Sequence, residues 1–370
     1  MTTLTLHNAP ALADDELTLH LAASGLIVLA QQVAQQGAVR LPYPAALQRA
    51  LDRLSIAALR RGAAPPQGVP DLLDWARRPL ATWPLHLPAE AISPDDTLLV
   101  GDIPSSVCDD WACLAPDVEA ELSERQLMLS VLRQSSAAQD QDGYVAFRTL
   151  LIERPTLTAL EFQQQRVRPV LGRLSEQLRA AYEPAPPGWA VQGEYACCPT
   201  CGNLLAPLLA GGFVCESAGC HGPVKAAAVN RRISIGEEPL WLRRGLRRFV
   251  AAPGRAELRL ARQLERDGVA VELWPAFDRY DLRVVFPDGV VWAADVKDWA
   301  NPFLLARKVE PIPDDPPWQL AAFVFPNERG RRPDYVRAFQ RACPIRHPHL
   351  HAMLERHFRQ RVIKRLRGVV

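Results

Sequence analysis

Asp281, Asp295 and Lys297 have the types and spacing for divalent-metal chemistry on phosphate esters. Residues 282–286 form a β-branched and aromatic run, Pro287-Asp288-Gly289 is turn chemistry, and 290–296 resumes the run. The stretch therefore predicts a β-hairpin. With the turn centred on Asp288, Asp281 falls opposite Asp295, with Cβ atoms about 5 Å apart. Two bare carboxylates at that spacing repel and raise one pKa, so a cation is expected between them. Lys297 lies two residues past Asp295 and returns to the same face. Mg²⁺ takes oxygen ligands from one or two carboxylates, with waters and substrate phosphate completing an octahedron. An ammonium beside it orients or acidifies the attacking water and neutralises charge growing on phosphorus. Taken singly, each residue reads as well as a polar group at a strand exit or turn cap, and a one-residue slip would send the acids to opposite faces.

An acid on one strand followed by acid-x-lysine on the next resembles the PD-(D/E)XK, restriction-endonuclease-like nuclease superfamily, over roughly residues 240 to 345. The resemblance implies an α/β domain with a mixed central sheet. It implies a Mg²⁺ (or Mn²⁺) ion held by Asp281, Asp295 and the Val296 carbonyl, with Lys297 serving the water. It also implies a leading helix whose glutamate faces the site, and Glu257 is the matching position. Glu257 reads equally as an exposed partner of arginines three or four residues away. Tyr280 stands where the motif's proline would be, a departure the family tolerates. The order helix, three strands, helix, strand between residues 255 and 325 is the superfamily's core order.

The second chemical feature is Cys197-Cys198-Pro-Thr-Cys201-Gly followed by Cys215-Glu-Ser-Ala-Gly-Cys220-His221. Two close pairs supply four thiolates for tetrahedral Zn²⁺. The expected ligands are Cys198, Cys201, Cys215 and Cys220, with Cys197 or His221 as substitutes because the second pair is widely spaced. The intervening residues 204–214, with Gly211-Gly212, resemble the hairpin of a zinc ribbon. A redox dithiol competes, but the second pair argues for structural zinc with no open position. Cys108 and Cys113 lack nearby ligands and read as free thiols.

Apolar content of 48% and charged content of 23% over 370 residues describe a globular chain with room for two or three cores. A net charge of +2 excludes overall basicity as a signal, yet twelve Lys or Arg follow residue 328 against Asp334 and Glu355. Arg243, Arg244, Arg247 and Arg248 make a second cluster. Either run neutralises phosphates or is a solvated helical face. His347, His349, His351 and His357 read as surface residues or phosphate contacts in a basic linker and helix start. No charged leader with an apolar core opens the chain, and no apolar run reads as long enough to span a bilayer, so a cytoplasmic protein without membrane contact is expected. Eight cysteines there favour metal or free thiols over disulfides.

The expected fold is α+β and multidomain: a mostly helical scaffold or partner-docking region at 1–183, a zinc ribbon at 189–235, and a restriction-endonuclease-like domain with a basic tail at 236–370. Helices are expected from residue 14, over 42–59, over 119–132, and over 156–182 with a kink at Pro169; residues 135–143 read as a loop. Nothing in the first 180 residues carries recognisable chemistry. The expected function is Mg²⁺-dependent hydrolysis of DNA. The alternative is a catalytically inactive, zinc-containing nucleic-acid-binding or assembly subunit. The succession of regions also resembles the REase-related component of prokaryotic Piwi (pPIWI-RE) defence islands. That would imply defence against foreign DNA, with a Piwi-like protein and a helicase as partners.

Overall fold

The computed structural model describes residues 9–114, 119–208, 211–217, 220 and 223–368. The chain divides into two units, residues 1–119 with 186–189 and 300–304, and residues 120–185, 190–299 and 305–370. The second unit thus takes in residues 120–183, which the sequence reading assigns to the N-terminal scaffold.

The first unit is mainly helical. Helices α1 (Ala9–Gln36) and α2 (Ala45–Arg60) pack together, burying Leu19, Ala22 and Leu26 from one and Leu47, Ala50 and Leu54 from the other. Contrary to the sequence expectation, Asp14–Gln36 is long and apolar enough, by length and composition, to cross a bilayer. Half of that window is buried within the protein, as expected of a helix that packs along its length. Further on, Leu99–Val100 and Ile103–Pro104 pair as a short hairpin. The hydroxyl of Ser105 then accepts from Cys108 N at 3.0 Å and caps the helix Ser106–Ala112.

In the second unit, α3 (Gln141–Glu153) begins inside the stretch expected to be a loop, because Asp140 Oδ1 accepts from Gly143 N at 2.9 Å and caps it. Residues 156–182 are not one helix. Thr156–Leu157 instead pairs with Leu240 and Trp241 of the strand Leu240–Leu242, which also pairs with Tyr182–Pro184. A capping box of Thr158 and Glu161 starts a helix only at Ala159, and Pro169 opens a 3₁₀ segment after it.

The core of this unit is a five-stranded sheet, β1 (Ala270–Leu273), β2 (Leu282–Val285), β3 (Val291–Val296), β4 (Leu320–Phe325) and β5 (Leu350–Leu354), in that spatial order. The first three are antiparallel, and β4 and β5 run parallel to β3. Every residue of β4 is buried, which explains its unbroken apolar run. On one face, Leu260 and Leu264 of α4 (Ala252–Arg266) and Phe358 and Val362 of α5 (Glu355–Leu366) pack on Leu282, Trp292 and Val324. Each such side chain contributes about 1.5–3 kcal/mol by burial. On the other face, Tyr335 and Phe339 pack against Phe323 and Phe325. Residues 347–349 are the expected linker, but strand β5 stands where a helix start was expected. It pairs with β4 and is last in the sheet order, where a histidine-bearing strand needs burial on fewer sides.

The cysteine-bearing segment is framed by Glu194–Cys197 paired with Arg231–Ser234 and contains a short meander of Ala206–Pro207, Phe213–Val214 and Pro223–Val224.

Candidate active site and cysteine cluster

Strands β2 and β3 pair Leu282 with Ala294 and Val285 with Val291, the register that a turn about Asp288 predicts. Continuing it by one residue brings Asp281 alongside Asp295. Asp281 is buried, and its Oδ2 accepts from Val296 N at 2.6 Å. Asp295 Oδ1 accepts from Lys297 Nζ at 2.7 Å. Burial, then the charges of Glu257 and Asp295, push the Asp281 carboxyl well above the usual carboxylate range. Burial opposes the Lys297 charge, but Asp295 and Asp281 more than offset it and raise its pKa. Lys297 is therefore an ammonium here, an electrostatic partner of whatever binds the acids.

Glu257 is 2% exposed, so it is not a solvent-facing partner of its helical neighbours. Trp274 Nε1 donates to its Oε2 at 2.6 Å, and Arg148 Nη2 donates to Oε2 at 3.0 Å and Oε1 at 3.3 Å. Arg148 Nη1 also donates to Asp278 Oδ2, which accepts from the Tyr144 hydroxyl at 2.9 Å. Its Nη2 lies 3.7 Å from Asp281 Oδ1, and the guanidinium sits over the Trp274 ring at 4.6 Å. The sequence reading missed Arg148, having found no chemistry in the first 180 residues. A faint signal existed: Gln141, Tyr144 and Arg148 repeat at helical spacing along one face of α3.

Two backbone features bring α3 to the acids. A Cβ on Gly254 of α4 would lie 2.6 Å from Ile152 Cγ1 of α3, so glycine permits the close approach. Beyond β1, Trp274, Ala276, Phe277 and Asp278 adopt φ of 47°, 47°, 58° and 73°. Left-handed backbone costs about 1–2 kcal/mol per residue and persists where the surroundings over-determine it. Here Gln141 brackets the turn, donating to Trp274 O at 2.8 Å and accepting from Phe277 N at 3.0 Å.

The sulphurs of Cys198, Cys201, Cys215 and Cys220 all lie within 4.8 Å of one another. A tetrahedral zinc with bonds of about 2.3 Å spaces its ligand sulphurs by about 3.8 Å, so the set is compatible with zinc. Cys197 is not in the cluster, and His221 lies outside the described residues. Gly202, at φ 74°, turns the knuckle so that its N–H reaches Cys198 O at 2.9 Å. Arg247, from the run read as phosphate-neutralising or as a solvated helical face, is instead buried, stacked on Trp241 at 3.5 Å and paired with Glu216. A cleft of about 670 Å³ lies between Cys201 of the knuckle and the Arg255, Arg259, Arg262, Arg266 face of α4, and Asp298, next in the chain to Lys297, also lines it.

Residues 254–369 match the family model described as REase associating with pPIWI_RE, and residues 18–158 match pPIWI_RE three-gene island domain Y. The REase-related, pPIWI-RE assignment is supported. The REase match contains Glu257, Asp281, Asp295 and Lys297, whereas the domain Y match contains α3 and Arg148. The two descriptions indicate a nuclease-related role and association with a pPIWI protein in a three-gene island. No curated protein and no solved structure matches the chain.

Proposed function

We propose that the chain is a Mg²⁺-dependent DNA endonuclease of prokaryotic defence against foreign DNA. The observation that carries this is the pairing of β2 with β3, which gathers Asp281, Asp295, Val296 and Lys297 inside the REase-matching segment. The donor set fits a hard divalent ion: two carboxylates and a backbone carbonyl, with Asp281 raised by burial and then by neighbouring acids, whose repulsion a cation would relieve. Asp281, Asp295 and the Val296 carbonyl would hold Mg²⁺ or Mn²⁺, which when bound supplies a Lewis acid and lowers the pKa of a coordinated water. Val296 N fixes the orientation of Asp281, and Asp295 fixes Lys297. The Lys297 ammonium orients the attacking water and offsets charge on the phosphate. Arg255 and Arg266 of α4 would neutralise the DNA backbone along the cleft, whereas Arg259 and Arg262 are paired with Glu355 and Glu153. In this reading residues 236–370 cut DNA, 189–235 form a structural zinc ribbon, and 1–183 dock partners, a Piwi-like protein and a helicase, in the cytoplasm.

One observation favours a second reading. Arg148 and Lys297 already pair with the acids, as suits an inactive zinc-containing nucleic-acid-binding or assembly subunit. Nicking of supercoiled plasmid by the purified chain separates the two. Cutting that needs Mg²⁺ and is lost in Lys297→Ala, with circular dichroism unchanged, is the expected result. Equal cutting by the variant counts against the first reading, and binding without cutting favours the second.

A further inference from the structure

Arg148 reaches the acid cluster from 109 residues before Glu257 and from within the domain Y match. Its guanidinium meets Glu257, Asp278 and Asp281 while lying over Trp274. Carboxylates crowded away from water need compensating positive charge. Nucleases that use two metals supply it with a second ion about 3.5–4 Å from the first. Here a side chain of the protein itself stands among the acids.

We propose that Arg148 takes the place of a second divalent ion, so that the site holds a single one at Asp281 and Asp295, and that α3 of the domain Y segment is a positioning part of the nuclease site. This rests on reading Asp281, Asp295 and Val296 as a divalent-ion site. The guanidinium is fixed rather than displaceable. Tyr144 grips Asp278 from the same helix, Gln141 brackets the turn that carries Trp274 and Asp278, and Arg148 itself is 8% exposed. A domain Y segment so placed completes the acid site instead of merely carrying it.

The test is a Mn²⁺ titration of the zinc-loaded full-length chain, read by equilibrium dialysis and by electron paramagnetic resonance. The wild-type chain is expected to bind one Mn²⁺ with an uncoupled spectrum. Arg148→Met, with circular dichroism and zinc content unchanged, is expected to bind two and give a spin-coupled spectrum, which a purely structural role for Arg148 would not produce. Two ions on the wild-type chain overturn the proposal and leave the metal-site reading standing. One ion on Arg148→Met overturns it as well. No ion on the wild-type chain removes the metal-site reading and the proposal together. If Arg148→Met does not fold, Arg148→Gln, which keeps hydrogen bonding without the charge, is judged by the same counts.

Discussion

Arg148 Nη2 stands 3.0 Å from Glu257 Oε2, with side-chain exposures of 8% and 2%. A buried pair of this kind is weak evidence for net stability, because desolvation consumes most of the attraction, but removing one partner strands the other. Glu257→Leu leaves the guanidinium with Asp278 and Asp281 alone, so the variant is expected to lose about 3 kcal/mol, the low end of the range for broken buried pairs. Adding Arg148→Met is expected to lower stability by clearly less than the sum of the single changes. Urea unfolding of both single variants and the double variant measures this. A loss below about 1 kcal/mol for Glu257→Leu would mean that the pair is open to water.

The hairpin and its register were legible because each rests on local chemistry: a Pro-Asp-Gly turn, β-branched runs and a side-chain period of two. The cysteine set was legible for a similar reason, since Cys198 and Cys201, and Cys215 and Cys220, are each close together in the sequence. Arg148 was not. It meets Glu257 across 109 residues, and the helical spacing of Gln141, Tyr144 and Arg148 does not say whether that face points into a core or into water. Residues 156–182 misled because helical periodicity persists through Thr156–Leu157, whose partner Leu240–Leu242 lies far along the chain. The arginine cluster at 243–248 misled in the opposite sense, since tertiary packing drew Arg247 inward to Glu216. Charge in a sequence does not say which charges are already paired.

Acid stability offers a check on how α4 and α5 are tied. Asp267, at the end of α4, accepts from Arg359 Nε at 2.6 Å and Nη2 at 2.7 Å. Hydrogen bonding from Arg359 holds its carboxyl below the usual carboxylate value. A depressed folded-state pKa contributes stability that is present above the unfolded value, about 4, and is lost as pH falls through the lower folded value. Arg359 is 42% exposed, so solvent screens the pair. Asp267→Asn is therefore expected to be less stable than wild type by about 0.5–1 kcal/mol at pH 7. Thermal unfolding at pH 7 and again near pH 3 should show the gap closing in acid; an unchanged gap would assign the effect to packing.

Zinc at the four-cysteine cluster should hold its module and little else. The apolar cluster there is small, centred on Ala196, Leu205 and Phe213, whereas the five-stranded sheet has cores on both faces. Structural zinc supplies roughly 10–16 kcal/mol of apparent binding in small zinc peptides, ample for a segment with so little to bury. Elemental analysis is expected to find one zinc per chain, to lose it in Cys215→Ser, and to retain it in Cys197→Ser, whose sulphur stands outside the converging set. After chelation, amide exchange should rise within residues 194–234 while β3 and β4 stay protected. Loss of zinc in Cys197→Ser would move the ligand set by one residue. Loss of protection across the whole sheet on chelation would mean that the metal holds the nuclease-like fold as well, through contacts such as Arg247 with Glu216 and Arg255 with Ser217.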